Sequence, residues 1–147
     1  MKHLQNNHYT IMFFIMILSG LLSTMNVWAD NLDDIRFSIN DVYMTLLMSG
    51  WMFLFMGLIY KETSVFFIGL LLILFRCIRN QFLVTEIQYK MGMIPHHSMA
   101  VHMSKKILEK ENNISSFVKD IIKNQENEIL ILKKIGVFYH FIILSFN

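Results

Sequence analysis

The residues with the most chemistry in them lie in the run Met91, Gly92, Met93, Ile94, Pro95, His96, His97, Ser98, Met99, Ala100, Val101, His102, Met103. Seven metal-donating side chains, four methionines and three histidines, fall within these thirteen residues. A thioether sulfur is neutral, soft and polarizable, and an imidazole nitrogen is borderline, so the set suits Cu(I) or Ag(I). Calcium, magnesium and manganese want oxygen, and zinc favours histidine with cysteine or carboxylate over methionine. On a helix that starts near Pro95, His96, Met99 and Met103 fall at i, i+3 and i+7 and stack on one face. His102 lies beside Met99, and His97 is turned about 100° from His96. Met91 and Met93, ahead of the proline, are placed to fold back over that face. The competing reading is a buried Met and Ile stripe with histidines at its wet edge. That reading is the stronger one for methionines alone, and the weaker one once histidines are interleaved with them.

Two helices must position these residues. The first is expected over about Phe82 to Lys110, interrupted or kinked where Pro95 removes a backbone donor. The second, about Ser115 to Ile135, puts Phe117, Val118, Ile121, Ile122, Gln125, Ile129 and Leu132 on one face and Lys119, Asp120, Lys123, Asn124, Glu126 and Asn127 opposite. Asn112, Asn113 and Ser115 read as turn and cap residues, and Gly136 as the C-terminal stop. Gln125 and Glu128 would face the first helix and hydrogen-bond to His96 or His97. Residues 82–136 therefore read as a helical metal-binding domain in the form of an antiparallel hairpin. A hairpin of that size is marginal alone, so it is expected to pair with a second copy or lie against its own membrane spans. The apolar tail 137–147 is too short to cross a bilayer.

The rest of the chain explains where such a domain would sit. Of 147 residues, 54% are hydrophobic and 16% charged, and mean hydropathy is +0.45. That composition describes a small membrane protein. Thirteen Lys and Arg nearly balance eleven Asp and Glu, which leaves no electrostatic footprint for nucleic acid. The lone Cys77 sits in an apolar run and excludes a disulfide scaffold. Residues 1–81 form the membrane region, with spans expected at about 9–29, 42–60 and 64–78. Lys61, Glu62 and Thr63 join the last two spans in a tight hairpin, and the short third span needs Arg76 and Arg79 to snorkel. Val27, Trp28 and Ala29 match a signal-peptidase site before Asp30; an uncleaved anchor is preferred. With the N-terminus inside, either version leaves the C-terminal domain outside. Met44, Met48, Met52 and Met56 form a ridge along the second span. It reads as a helix-packing ridge, with Gly50 and Gly57 allowing close approach, ahead of a ladder of soft ligands, because no His or Cys accompanies it. Asp41 reads as an interfacial cap.

Met93 to His97, reading MIPHH, is followed by Ala100 and Met103, and then by Ile121, Ile122, Gln125, Glu128 and Ile129 in the pattern IIxxQxxEI. This resembles the family catalogued as domain of unknown function 305. The resemblance implies a ferritin-like helical fold and, as in some members, binding of copper or silver through Met and His in the periplasm. Asn40, Val42, Tyr43 and Met44, in the pattern NxVYM ahead of the domain, resemble the membrane-anchored branch of that family. Two departures stand out: the family usually has Met where Leu132 stands and often Trp where Ile135 stands, so a ligand from the second helix is missing. The tail Val137 to Phe146 is also unlike the usual ending.

The expected fold is thus all-α, with two to three transmembrane helices followed by a ferritin-like antiparallel helical hairpin. Paired Glu-x-x-His motifs, HExxH, a phosphate loop, a nucleophile elbow and CxxC are all missing from the sequence, so a non-enzyme is expected. The leading expectation is a membrane-tethered Cu(I) binder, taking Ag(I) as well, that captures or sequesters metal in copper homeostasis or resistance. It would sit in a bacterial inner membrane with its domain on the periplasmic side. Expected partners are membrane lipid, a second copy of the chain and a copper exporter or chaperone, and not nucleic acid. The alternative is a non-catalytic helical interaction module that packs on a partner membrane protein and binds no metal.

Overall fold

The computed structural model describes residues 2–60 and 65–145, and the side chains of 10–60 and 67–134. Among the described residues every regular element is helical: α1 Lys2–Leu22, α2 Ile39–Ile59, α3 Val65–Arg79, α4 Glu86–Leu108 and α5 Ser115–Ser145, with 3-10 turns at Met25–Trp28 and Leu32–Asp34. The chain divides into two units. One holds Met1–Thr24 and Ile39–Val84, the other Met25–Ser38 and Thr85–Asn147.

The first unit is apolar. Thr10–Trp28 and Ile39–Ile59 are long and apolar enough to cross a membrane. The 15 residues of α3 reach about 22 Å at 1.5 Å per residue, short of a hydrocarbon core of about 30 Å. Arg76 and Arg79 close its last turn, where cations complement the helix dipole. The first apolar stretch agrees with the expected 9–29, but it is not helical throughout. Its helix stops at Leu22, and Asn26 turns the chain by pairing with Arg36 twice, Nδ2 donating to the carbonyl at 2.7 Å and Oδ1 accepting from the N–H at 2.9 Å. A short amide side chain that satisfies backbone groups locally competes with a helix in this way. The Lys61–Thr63 hairpin lies outside the described residues.

Within this unit the helices approach at small residues. A Cβ on Gly20 would lie 2.6 Å from Thr45 Cγ2, and one on Gly50 would lie 2.8 Å from Leu71 Cδ2. Phe13, Phe53 and Phe67 stack across α1, α2 and α3 with centroids 6.0 and 5.3 Å apart. Asp41, Thr45 and Ser49 occupy the inner face of α2. Met44, Met48 and Met52 are exposed and Met56 is half-buried. The methionine ridge therefore points largely away from the unit: small polar residues, which allow closer approach, hold the inner face. α3 ends in a Schellman turn, Phe82 N–H donating to Cys77 O and Gln81 N–H to Ile78 O, with Gln81 at φ 48. Tyr43 Oη fastens that turn by donating to Phe82 O at 2.6 Å.

In the second unit α4 and α5 pack against each other across a short turn, and their ends differ from those expected. Because the Schellman turn and a left-handed Leu83 (φ 60) occupy 80–84, α4 begins at Glu86, capped by Thr85 Oγ1 accepting from Gln88 N–H. It then runs uninterrupted through Pro95. Asn112 makes the reversal, donating to Ile107 O and Lys110 O and accepting from Ile114 N–H and Ser115 Oγ. Ile94 and Val101 of α4 pack on Ile129 of α5, flanked by Ile122 and Leu132. α5 does not stop at Gly136 but continues to Ser145. A lone interior glycine costs a helix only about 1 kcal/mol, and no proline, glycine or asparagine follows between Gly136 and Ser145 to end it.

Candidate metal centre

Since α4 begins nine residues before Pro95, Met91 and Met93 lie on the helix itself and do not fold back over it. Met93 and His97, at i and i+4, share a face. They line a cleft of about 260 Å³ with Tyr89 and, from α5, Glu128, Ile131 and Leu132. His97 is buried, and Glu128 Oε2 stands 2.8 Å from its Nδ1, within ion-pair reach but out of line with a ring N–H. Burial pushes the His97 pKa below its ordinary value; the Glu128 carboxylate opposes this, and His96 beside it adds to the downward push. The imidazole is thereby kept neutral, the form in which it ligates metal.

The other donors are distributed round the helix. His96 is exposed, its ring centroid 6.0 Å from that of His97, and its Nδ1 lies 3.3 Å from Met25 Sδ. His102 Nδ1 is 3.8 Å from Asp30 Oδ1. Met91 and Met99 are half-buried and Met103 is exposed. The seven donors therefore do not form one cluster. Among the described residues no three His, Cys, Asp or Glu side chains converge; on α4 the pair Met93 and His97 combines one thioether with one imidazole at a single cleft. Glu128 stands beside His97 at ion-pair distance and not in the hydrogen bond expected of it; Gln125, half-buried one turn earlier, makes no hydrogen bond to either ring among the described residues.

Sequence reasoning missed the segment 25–38. Asp34 is 1% exposed; its Oδ2 accepts from Ser98 Oγ at 2.7 Å, and its Oδ1 pairs with Lys133 Nζ of α5. The same Ser98 Oγ accepts from Asp30 N–H at 2.8 Å, and Asp30 Oδ2 accepts from Lys105 Nζ at 2.7 Å. Lys105 also pairs with Glu126 at 3.2 Å. Burial pulls the Asp34 pKa upward, but the hydrogen bonds from Lys133 and Ser98 and the Lys133 charge outweigh it and hold the carboxyl below its ordinary value. Hydrogen bonding to Asp30 pushes the Lys105 ammonium up. A signal was present: Ser98 follows Ile94 at i+4, and Lys133 follows Ile129 at i+4. Polar groups at core positions require partners.

The profile of the Domain of unknown function (DUF305) matches residues 81–135. Over 136 residues the chain is 41% identical to "Uncharacterized protein L153" of Acanthamoeba polyphaga mimivirus, covering 86% of this chain and 89% of that protein. The chain belongs to this protein's family. Its DUF305 domain holds the whole of the cleft, Tyr89, Met93, His97, Glu128, Ile131 and Leu132. Met25, Asp30 and Asp34 lie outside the DUF305 match, and α5 runs beyond its end. No solved structure matches the chain.

Proposed function

We propose that this DUF305 protein is a membrane-tethered binder of Cu(I), and of Ag(I) by the same chemistry, that captures or sequesters the ion. The observation that carries the reading is the pair Met93 and His97 on one face of α4, opening on a cleft with Glu128 beside the imidazole. The donors fit the ion: a soft sulfur and a nitrogen held neutral by burial, with a carboxylate placed to orient the ring. Bound there, the metal would supply only its affinity for soft donors, and the cleft's apolar walls Ile131 and Leu132 would limit access of water. Equilibrium dialysis of the full chain in detergent against Ag(I), Zn²⁺ and Mg²⁺ tests the class of ion. Retention of Ag(I) at the expense of the other two supports the reading; preference for Zn²⁺ or Mg²⁺ overturns it.

The same proposal fixes a topology. Residues 25–38, which link α1 to α2, belong to one unit with residues 85–147 and on this proposal share a compartment with them. A chain that crosses at α1 and returns at α2 must cross again at α3 to bring the domain to that side. Three crossings put the N-terminus and the domain on opposite faces, and cysteine labelling from each face of sealed vesicles checks it. Labelling of both from one face would refute it. The bacterial inner membrane with a periplasmic domain is the setting the family resemblance suggests. Exposed Phe117, Leu130 and Ile131 on α5 support pairing with a second copy, and an exporter or chaperone is the proposed recipient of the ion. A chain that bound no metal while pairing with another membrane protein would be the interaction module.

A further inference from the structure

Met25 is the first residue of the second unit: the helix before it, α1, belongs to the other unit. In the turn Met25–Trp28 the apolar Val27 and Trp28 are exposed, whereas Met25 is half-buried with its sulfur 3.3 Å from His96 Nδ1. Apolar burial alone would have turned in the larger indole. A hydrogen bond alone explains the contact poorly, because a thioether is a weak acceptor and the exposed His96 ring has water at hand. The segment 25–38 is held on α4 and α5 by other means, through Asp30 N–H and Asp34 on Ser98, Asp30 on Lys105 and Asp34 on Lys133 of α5. The sulfur is therefore delivered to the imidazole by a scaffold independent of the contact itself.

The separation also suits a shared ion. By the lengths of a zinc centre, about 2.0 Å to nitrogen and 2.3 Å to sulfur, two donors of a three- or four-coordinate ion at roughly 100–120° stand about 3.3–3.7 Å apart, and the longer bonds of Ag(I) widen this somewhat. The observed spacing falls at the short end of that range, so the pair can close on an ion with little movement. His97, the next residue, faces the cleft and Glu128 instead. We propose that Met25 and His96 form a second soft-metal site, distinct from the Met93 and His97 cleft, which takes Cu(I) or Ag(I) and is completed only by the segment between the first two membrane spans. It rests on the soft-metal reading of α4 and adds a ligand from outside the DUF305 match. One consequence follows for processing: cleavage before Asp30 would remove Met25, so the metal-loaded chain keeps its first span.

The test uses the full chain in detergent, labelled with ¹³C at the methionine methyls and titrated with Ag(I). The variants are Met25→Leu, Met25→His, His96→Ala and the double variant Met93→Leu with His97→Ala. The site predicts that the Met25 methyl resonance shifts on Ag(I) addition, that His96→Ala abolishes this shift, and that the cleft double variant preserves it. Met25→Leu, similar in volume, lowers the Ag(I) bound from about two ions per chain to about one, and Met25→His, which keeps a donor, restores it. If the wild-type chain binds Ag(I) but the Met25 methyl does not move and Met25→Leu binds as many ions as tightly, the second site is overturned and the cleft reading stands. If Met25→Leu lowers the melting temperature of the metal-free chain and leaves the Ag(I) count unchanged, Met25 is a packing residue and the proposal is equally overturned. A wild-type chain that binds no Ag(I) at all overturns both sites together.

Discussion

Replacing Asp34 by Ala should release the segment 25–38 from the helical hairpin. The carboxylate is 1% exposed and serves two partners from different helices, the Ser98 hydroxyl at 2.7 Å and the Lys133 ammonium. Removing one member of a fully buried pair costs about 3–5 kcal/mol, but the Lys133 side chain is 32% exposed and can turn to water, which reduces the loss to about 2–3 kcal/mol. In the opening equilibrium of the segment this is roughly a 30- to 140-fold increase. Hydrogen exchange read by mass spectrometry reports it directly at the amides of Asp30, Ile35 and Arg36, bonded to Ser98 Oγ, Leu32 O and Asn26 Oδ1. Lys133→Met should cost a similar amount by leaving a buried carboxylate unpaired. The double variant Asp34→Ala with Lys133→Met should cost clearly less than the sum, since no charge is then stranded. The pH dependence has a definite sign. Asp34 is held below its ordinary pKa in the folded chain, so its contribution is complete above about pH 4 and is lost as pH falls through the lower folded value. Exchange at these amides that is unchanged in Asp34→Ala, or protection that grows on acidification from pH 5 to 3, would refute the account of this lock.

Three further outcomes follow from the same geometry. His97 in the metal-free chain should titrate below pH 6.5, by NMR of the ring, and Glu128→Gln should lower it further because the carboxylate is the group opposing burial; an upward movement in Glu128→Gln would contradict this. The fold stability held by neutral His97 should be present above about pH 6.5 and decline as pH falls through the depressed value, measured by thermal unfolding. Leu132→Met places a sulfur on the cleft wall beside Met93 and His97, and is expected to tighten Ag(I) binding about tenfold at a stability cost below about 1.5 kcal/mol; equal or weaker binding counts against the cleft as the site. Gly20→Ala should destabilise the first, apolar unit by about 1–3 kcal/mol, since its methyl meets the branched Thr45 at 2.6 Å. Gly50→Ala should cost less because Leu71 can rotate away, and Gly69→Ala, with nothing near its Cβ, should be neutral in detergent unfolding.

The helical hairpin was legible because its apolar faces repeat at the helical period, and the Asn112 turn because a short amide so placed has few other uses. The phase of the donors was not. A proline inside a helix costs about 3 kcal/mol, which argues for a boundary at Pro95; the buried Pro95 lies instead within an unbroken α4, where tertiary packing outweighs the local preference. That moves Met93 onto the face of His97 and separates His96 from it. The lock of Asp30 and Asp34 joins residues 64 to 99 positions apart. Local periodicity carries no information at that distance, although Ser98 and Lys133 at core positions announced that partners were needed. The end of α5 was misplaced because one glycine was given the weight of a stop.

The central claim, soft-metal capture by α4, is tested most directly by titrating the full chain with Cu(I) against a Cu(I) chelator, beside the variant carrying Met93→Leu and His97→Ala. The account predicts that the wild-type chain withdraws Cu(I) from the chelator and that the variant loses the cleft's share of it, with the helical circular dichroism of both unchanged. A folded wild-type chain that leaves the Cu(I) on the chelator, or a variant that competes as well as the wild type, would contradict it.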